Sequence, residues 1–195
     1  MKRSAIVLGI GNILWADEGF GVRAVEALNE GWDAGPEVRL VDGGTQGLGL
    51  LPVVEDTGLL VILDAVDFGL APGTLMVATD DAVPRYLTAK KLSLHQTSFK
   101  DVLALAQLSG RAPARMVLIG VQPQDLETYG GGLSSPVAAR IGEATDHARA
   151  YLAEAGFSLA PRNAGSDAEP LGPVAVAMPL YERDAAPPDM PERAP

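Results

Sequence analysis

The chain has 195 residues, enough for one well-buried domain and short for two. Its composition, 47% hydrophobic and 21% charged residues, is that of an ordinary globular protein. A net charge of −10 argues against nucleic acid and anionic membranes as partners, because both are bound by clustered Lys and Arg. The absence of cysteine excludes disulfides, thiolate metal ligands and a thiol nucleophile.

No apolar run in the sequence reaches the length of a membrane span. The apolar stretch near the N-terminus is interrupted by Gly9, Gly11 and Asn12, and no small-residue cleavage site follows it. We therefore expect a core strand here rather than a signal peptide, and a cytoplasmic protein.

Five runs of apolar and β-branched residues predict strands. The first, third and fifth runs are apolar nearly throughout, which is typical of strands covered on both faces of a sheet. The predicted strands span residues 4–10, 38–42, 59–65, 74–79 and 115–121.

Apolar residues at helical spacing lie between these strands. The predicted helices span residues 19–29, 49–54 and 97–108, and a last helix has Ser135 as its N-cap, Pro136 at its first position and Gly156 at its end. This alternation predicts an α/β protein with a mainly parallel sheet. The connection formed by residues 66–73 is too short for a helical crossover, so the fourth strand is predicted to be antiparallel at or near an edge.

The character of the sequence changes after Gly156. Residues 157–195 contain eight of the fifteen prolines and few aromatic residues. Such a segment buries too little apolar surface to offset its ordering entropy. We therefore predict a domain over residues 1–156 and a mostly disordered tail over residues 157–195 that adds nothing to the core. The alternative for one patch of this tail, residues 171–181, is docking on the domain, because the patch is apolar enough.

Three side chains that could bind a metal follow predicted strands or precede helices: Glu18, Asp64 and His95. Because ligand sites in α/β sheets lie beyond the carboxyl ends of the strands, these residues can converge. Two carboxylates and an imidazole suit a divalent metal and leave coordination positions open. An alternative for Glu18, and for Asp17 beside it, is a favourable interaction with the dipole of a helix N-terminus.

Other motifs are weaker. Gly9-Ile-Gly11-Asn12 lacks the third glycine of a dinucleotide-binding loop, which would fall at Leu14, so we interpret it as a tight turn braced by Asn12. Asp42-Gly-Gly-Thr45 has two compatible interpretations: a turn that needs unusual backbone angles, and a source of backbone amides and one acid at the sheet edge. The glycine-rich residues 122–132 form either a substrate-contacting lid or a permissive connection.

The second histidine, His147, lies one helical turn after Glu143 on the predicted last helix. We interpret these two residues as part of a solvated face rather than a metal site. The sequence also lacks a Gly-x-Ser-x-Gly elbow and a His-Glu-x-x-His helix, which argues against serine hydrolase and ordinary zinc protease chemistry.

Taken together, four motifs resemble one family: Gly9-x-Gly-Asn-x-Leu-x-x-Asp-Glu18-Gly-x-Gly21, Asp42-Gly-Gly-Thr45, Leu63-Asp64-Ala and Ser93-Leu-His95-Gln-x-Ser. Their order and spacing are similar to those of the nickel–iron hydrogenase maturation endopeptidases. Gly120-Val-Gln-Pro-x-x-Leu-Glu127 followed by Tyr129-Gly resembles the branch that processes uptake-type hydrogenases. The resemblance covers about residues 4–155.

The resemblance implies a three-layer α/β/α sandwich whose five-stranded mixed sheet has the order 2-1-3-5-4, with strand 4 antiparallel. It implies an endopeptidase, by metal-assisted or aspartyl-type chemistry, that removes the C-terminal extension of the hydrogenase large-subunit precursor after nickel insertion. Glu18, Asp64 and His95 match the family's metal-contacting positions, and nickel would arrive with the substrate. We expect a monomer that binds neither nucleic acid nor membrane.

Two alternatives use the same residues or a similar motif. A non-catalytic chaperone that senses nickel in the large subunit would need the same three ligands. A peptidyl-tRNA-hydrolase-like enzyme would share the early Gly-x-Gly-Asn, but it would need basic residues for tRNA and a catalytic histidine near the first helix, both of which this sequence lacks.

Overall fold

The computed structural model describes residues 4–55, 57–85, 99–163 and 168–172. The strands are β1 (Ala5–Ile10), β2 (Trp32–Ala34), β3 (Val38–Gly44), β4 (Leu59–Ala65), β5 (Leu75–Thr79), β6 (Arg115–Val121) and β7 (Leu159–Pro161). The α-helices are α1 (Phe20–Gly31), α2 (Leu51–Glu55), α3 (Phe99–Leu108), α4 (Ser135–Ala138) and α5 (Ile141–Glu154). Short 3₁₀ turns lie at Ala16–Gly19, Gly47–Leu50 and Asp80–Ala82.

The main sheet has five strands in the order β3-β1-β4-β6-β5. Pairs β1–β3, β1–β4 and β4–β6 are parallel, and only β5 runs antiparallel, against β6. The five predicted strands correspond to β1, β3, β4, β5 and β6, because the short β2 and β7 lie outside the main sheet. The predicted order 2-1-3-5-4 and the antiparallel fourth strand, β5, are therefore confirmed. The chain leaves β1 between two parallel neighbours, so the ends of β1, β3 and β4 enclose the switch point where α/β proteins bind ligands.

Each face of the sheet is covered by helices because alternate strand residues point to opposite sides. One face packs against α1, α4 and α5, and its largest fully buried side chains are Phe20, Leu28, Leu63, Ile119 and Leu152. The other packs against α2 and α3 through Ile6, Leu8, Leu60, Ile62, Leu103 and Leu118. The central strands β1, β4 and β6 are therefore buried on both faces, which explains why they are continuous apolar runs.

The last helical region differs from the prediction at its start. Ser134, rather than Ser135, occupies the N-cap position of α4, and its hydroxyl makes no capping bond. It donates instead to Asp17 Oδ2 at 2.8 Å. The helix is also divided, since α4 ends at Ala138 and α5 begins at Ile141.

The packed domain continues past Gly156, the boundary that we predicted. Strand β7 pairs antiparallel with β2. The Arg162 guanidinium donates to the carbonyls of Asn29 and Trp32 at the end of α1, and it pairs with Asp33 at 2.6 Å. These bonds satisfy helix carbonyls that would otherwise lack partners. The sequence analysis missed β7 and its pairing with β2, because three-residue strands carry almost no periodic signal.

Part of the remaining predicted tail also lies against the domain. Asn29 donates through its side-chain amide to the carbonyl of Glu169 at 2.9 Å, and Leu171 packs against the core beside α1. Residues 164–167 and 173–195 lie outside the described residues, so the prediction of disorder there stays a prediction. Within the described part of the chain, no helix is long and apolar enough to cross a membrane.

Truncation tests this docking. Ending the chain after Gly156 removes β7 and the Arg162 cap, and we expect a loss of about 2 kcal/mol, equivalent to a fall of about 4–8 °C in the midpoint of thermal unfolding. A matched truncation after Gly172 keeps both described segments and should change the midpoint little. Calorimetry that shows equal midpoints for the two truncations would contradict the docking.

Candidate active site at the carboxyl ends of β1, β3 and β4

Asp64 lies one residue before the end of β4, in the centre of the sheet. Asp64 pairs with Gly120 of β6, on one side of β4. On the other side, the preceding residue Leu63 pairs with Gly9 of β1. The residue is only 1% exposed. An ionised carboxylate in such a position is costly unless polar groups or a cation face it, so Asp64 is a strong candidate for a functional acid.

Glu18 lies in the 3₁₀ turn between β1 and α1. This turn packs against β4, the strand that carries Asp64. Glu18 is half-buried, and its amide donates to the Trp15 carbonyl at 2.8 Å. The structure therefore brings the turn of Glu18 and the strand end of Asp64 to the same edge of the sheet, as the sequence predicted.

Two glycines allow this close approach. Gly11 has φ +140°, and a Cβ built on it would lie 1.8 Å from the Glu18 carbonyl oxygen. A Cβ on Gly21, in the first turns of α1, would lie 2.1 Å from the carbonyl oxygen of Leu63. Neither position accepts a side chain unless the backbone moves. Asn12 braces the same turn by accepting a hydrogen bond from the Leu14 amide at 3.1 Å, which confirms its predicted local role.

Asp42 lies near the end of β3 and pairs with Gly9 of β1. Directly after this pair the register between the two strands shifts, so that Ile10 pairs with Gly44. Burial raises the pKa of the Asp42 carboxyl, and the Gly44 backbone and the Arg23 charge only partly oppose this effect. Among the described residues, no donor reaches Asp42 Oδ1, which is buried. The Asp42-Gly-Gly-Thr45 motif thus places an under-solvated carboxylate at the sheet edge.

A cleft of about 210 Å³ opens beside Asp42. It is lined by residues of the β1–α1 turn, one residue of α1 and the end of β3: Gly11, Asn12, Ile13, Leu14, Val22, Asp42, Gly44 and Thr45. Its size is below the range of about 300–1,000 Å³ that is typical of small-molecule and cofactor sites. It suits a short stretch of peptide better than a dinucleotide, in agreement with the missing third glycine.

Arg23 is a buried cation that the sequence did not single out. It is 4% exposed on α1 and pairs with Glu26 at 2.9 Å. Burial raises the pKa of Glu26, and the charges of Asp42 and Glu30 contribute, although Arg23 opposes the shift. Arg23 thus balances acids near the cleft. A single arginine within an amphipathic helix gives no sequence signal for this role.

The sequence predicted His95 as a metal ligand and rejected the pair Glu143 and His147. His95 lies outside the described residues, so its place as a third ligand stays a prediction. Within residues 4–55, 57–85, 99–163 and 168–172, no three His, Asp or Glu side chains form a metal-binding group. Glu143 pairs with Arg140 at 2.9 Å and is exposed, which supports a surface role for it rather than chelation with His147.

The loop after β6 is fastened at its start. Gln122 is buried, and its side-chain oxygen accepts from the amides of Phe68 and Leu70 at 2.7 and 3.1 Å. Its amide nitrogen donates to Asp67 Oδ1 at 3.1 Å. Asp17, for which a favourable interaction with the helix dipole was one interpretation, is fully buried and accepts hydrogen bonds from the same loop further along. The sequence does not reveal which of two adjacent acids turns inward.

Replacing Gly11 tests the close approach. Gly11→Ala places a methyl group against the Glu18 carbonyl, and we expect a loss of about 2–4 kcal/mol in the free energy of unfolding. Gly110→Ala is the matched control, because Gly110 also has positive φ but has open space around it. That control should cost only about 1–2 kcal/mol. Equal losses in urea unfolding would show that Glu18 does not depend on the space at Gly11.

The pKa shift of Asp42 gives a pH-dependent prediction. When folding raises the pKa of a carboxyl, the free energy of unfolding of the protein falls as the pH rises through the folded pKa, because the folded state must then hold the charged form. Asp42→Asn removes this loss, so we expect its unfolding midpoint to exceed that of the parent by about 1–3 °C at pH 7. The difference should shrink below the ordinary pKa of 3.8, where the carboxyl is protonated in both states.

Asp125 is the control of opposite sign for this measurement. Bonds from the side chain and amide of Thr128 and from the amide of Glu127 lower the pKa of Asp125. Its stabilising contribution is therefore present at neutral pH and is lost on acidification, so Asp125→Asn should not gain stability at pH 7. An Asp42→Asn midpoint at or below that of the parent across the whole pH range would contradict the assignment.

Comparisons with known proteins agree with this geometry. The sequence model described as hydrogenase maturation protease matches residues 22–150. The hydrogenase expression/formation protein HupM of Azotobacter chroococcum mcd 1 is 53% identical over 179 residues, 92% of this chain and 85% of that protein. The hydrogenase 2 maturation protease of Escherichia coli (strain K12) is 41% identical over 163 residues, 83% of this chain and 98% of that protein.

A solved structure shows the same architecture. The hydrogenase maturating endopeptidase HybD from E. coli superposes with a TM-score of 0.76 at 40% identity, over 82% of this chain and 98% of that chain. The predicted α/β fold and the resemblance drawn from the four motifs are thereby confirmed. Removal of a C-terminal extension from the hydrogenase large subunit fits the role of this family. The chain belongs to the hydrogenase maturation proteases, a family of endopeptidases.

Proposed function

We propose that this endopeptidase cleaves the C-terminal extension from the large-subunit precursor of a nickel–iron hydrogenase after nickel has been inserted. In this proposal Glu18, Asp64 and His95 contact the nickel that the precursor carries. The observation that supports it most is the placement of Glu18 and Asp64 at one edge of the sheet, where three parallel strands end around the switch point.

The chemistry of the donors suits nickel that arrives with the substrate. Carboxylate oxygens and an imidazole nitrogen bind divalent transition metals, and three protein ligands leave positions for groups of the precursor. A site shared between two proteins would make contact with the nickel part of substrate recognition. Precursor without nickel would lack that contact and would bind more weakly.

We infer that water is the nucleophile. The sequence has no cysteine and no Gly-x-Ser-x-Gly elbow, and the Ser134 hydroxyl beside the turn donates to Asp17 rather than to a histidine. The water oxygen bonds to the scissile carbonyl carbon, its proton passes to a base, and the amine leaves with a proton as the C–N bond breaks. Asp64 or Glu18 is the base in one scheme. In the other, the nickel assists the attack.

The cleft beside Asp42 supports the binding of an extended peptide near these acids. Its walls are largely apolar, from Ile13, Leu14 and Val22, and Asp42 is the one acid among its lining residues. We propose that part of the precursor near the scissile bond enters it. The acidic net charge of −10 supports a protein partner rather than nucleic acid or an anionic membrane. A monomeric state and a cytoplasmic location remain part of the proposal.

Cleavage of purified precursor tests the function. The loss of the C-terminal peptide is followed by mass spectrometry with nickel-loaded and nickel-free precursor. We expect cleavage of the loaded form only, and a rate at least about 10²-fold lower for Asp64→Asn, Glu18→Gln and His95→Ala. His147→Ala is the matched control for His95→Ala. This variant should cleave the precursor at the parent rate, because His147 lies on α5, which carries none of the three proposed ligands.

Three outcomes discriminate among the alternatives. Equal cleavage of both precursor forms would contradict recognition of nickel. Binding of the loaded precursor without cleavage would favour the chaperone function over the protease. Full activity of Asp64→Asn would exclude Asp64 as a base and as a ligand needed for turnover.

A further inference from the structure

We propose that Asp17 is a positioning residue, which fastens the loop of residues 122–134 to the turn that carries Glu18. The catalytic consequence of this inference rests on the proposed function, whereas the fastening itself does not. Asp17 is fully buried and directly precedes Glu18 in the chain. Its buried carboxylate acts through the loop and the turn rather than by contact with the substrate.

The carboxylate of Asp17 accepts four hydrogen bonds from the loop. Oδ2 accepts from the amides of Gln124 and Asp125, at 2.8 and 2.9 Å, and from the Ser134 hydroxyl at 2.8 Å. Oδ1 accepts from the Ser134 amide at 2.7 Å. The Asp17 amide in turn donates to the Asp125 carbonyl at 3.1 Å. One side chain therefore holds both the beginning and the end of the loop.

These donors require an acceptor-only group. An ionised carboxylate accepts on both oxygens, and charge-assisted bonds of this length are roughly twice as strong as neutral ones. An asparagine would direct an NH₂ group at one set of donors and leave buried polar atoms unpaired. Asp17 is thus specified as a carboxylate by its surroundings rather than by the nearby helix dipole.

The middle of the loop is tied to the same turn. The Gly130 amide donates to the Leu14 carbonyl at 2.8 Å. Trp15 and Tyr129 form an isolated β-bridge, and their rings meet edge to face with centroids 5.4 Å apart. Residues 14–17 and the loop therefore form one unit, with an exposed aromatic pair at its surface.

The packing of residues 14–17 against the loop explains two energetically unfavourable features, a strained backbone at Ala16 and a missing helix cap at Ser134. Ala16 has φ +31°, a conformation that a non-glycine residue holds only when its surroundings enforce it. Ser134 occupies the N-cap position of α4 but gives its hydroxyl to Asp17 instead of capping the helix. Both features turn Asp17 inward and connect it to the loop. Because Glu18 is the next residue, loosening the loop also displaces the Glu18 backbone.

The experiment uses Trp15 as a reporter of the loop. In a Trp32→Phe background Trp15 is the only tryptophan. We expect Asp17→Asn to shift the Trp15 emission to the red and to increase its quenching by acrylamide, because Tyr129 and the loop move away. With nickel-loaded precursor, we expect kcat to fall by about 10²-fold, with a smaller change in KM, because Glu18 is misplaced. Asp125→Asn is the matched control and should change neither quantity, because an asparagine oxygen can still accept from the amides of Glu127 and Thr128.

A second variant protects the test against simple unfolding. Ser134→Ala removes one of the four bonds, so it should fold and show a partial increase in quenching. Added to Asp17→Asn, it should have no further effect, because the two residues act through one interaction. Additive effects, or parent-like quenching and kcat in Asp17→Asn, would overturn the proposal. Increased quenching of Asp17→Asn in a protein whose parent cleaves no precursor would support the fastening and contradict the proposed function.

Discussion

The candidate site depends on the contact between the β1–α1 turn and the end of the sheet. The Glu18 carbonyl occupies the space that a side chain at Gly11 would need, and the Leu63 carbonyl occupies the space that a side chain at Gly21 would need. These contacts bring a carboxylate from the turn to the edge where Asp64 ends β4. Without the two glycines, α1 would lie further from the sheet and the two acids would separate.

Buried charge is handled in a different way at each acid of the site. Asp17 is satisfied by four donors of a loop, and its carboxylate serves structure. Asp42 lines the cleft, and burial raises its pKa and leaves one of its oxygens without a donor among the described residues, at a cost to stability. Asp64 is buried at a strand end that the fold directs to the ligand edge. Costs of this kind are common at functional sites, where binding rather than stability sets the arrangement.

The sequence predicted the elements whose signal is local or repeated. Strands β4 and β6 were predicted residue for residue because burial on both faces leaves uninterrupted apolar runs, and the antiparallel β5 followed from a connection too short for a crossover. The role of Asp17 was not predictable, because Ser134 is 117 residues away and the strained Ala16 has no sequence mark. Strand β7 was missed because three residues carry almost no periodic signal, and the Arg162 cap of α1 was missed because Asn29 lies 133 residues away. Glu18 and Asp64 were singled out because one lies in the turn between β1 and α1 and the other lies near the end of β4, and their role as metal ligands stays a prediction.

The central claim is that Glu18, Asp64 and His95 form one site for a divalent metal at this edge. Diffraction from crystals of the protein soaked with nickel, recorded at the nickel absorption edge, tests it directly. We predict an anomalous peak about 2 Å from carboxylate oxygens of Glu18 and Asp64 and from an imidazole nitrogen of His95. A peak only at Glu143 and His147, or no peak while Glu18, Asp64 and His95 are all ordered, would contradict the account.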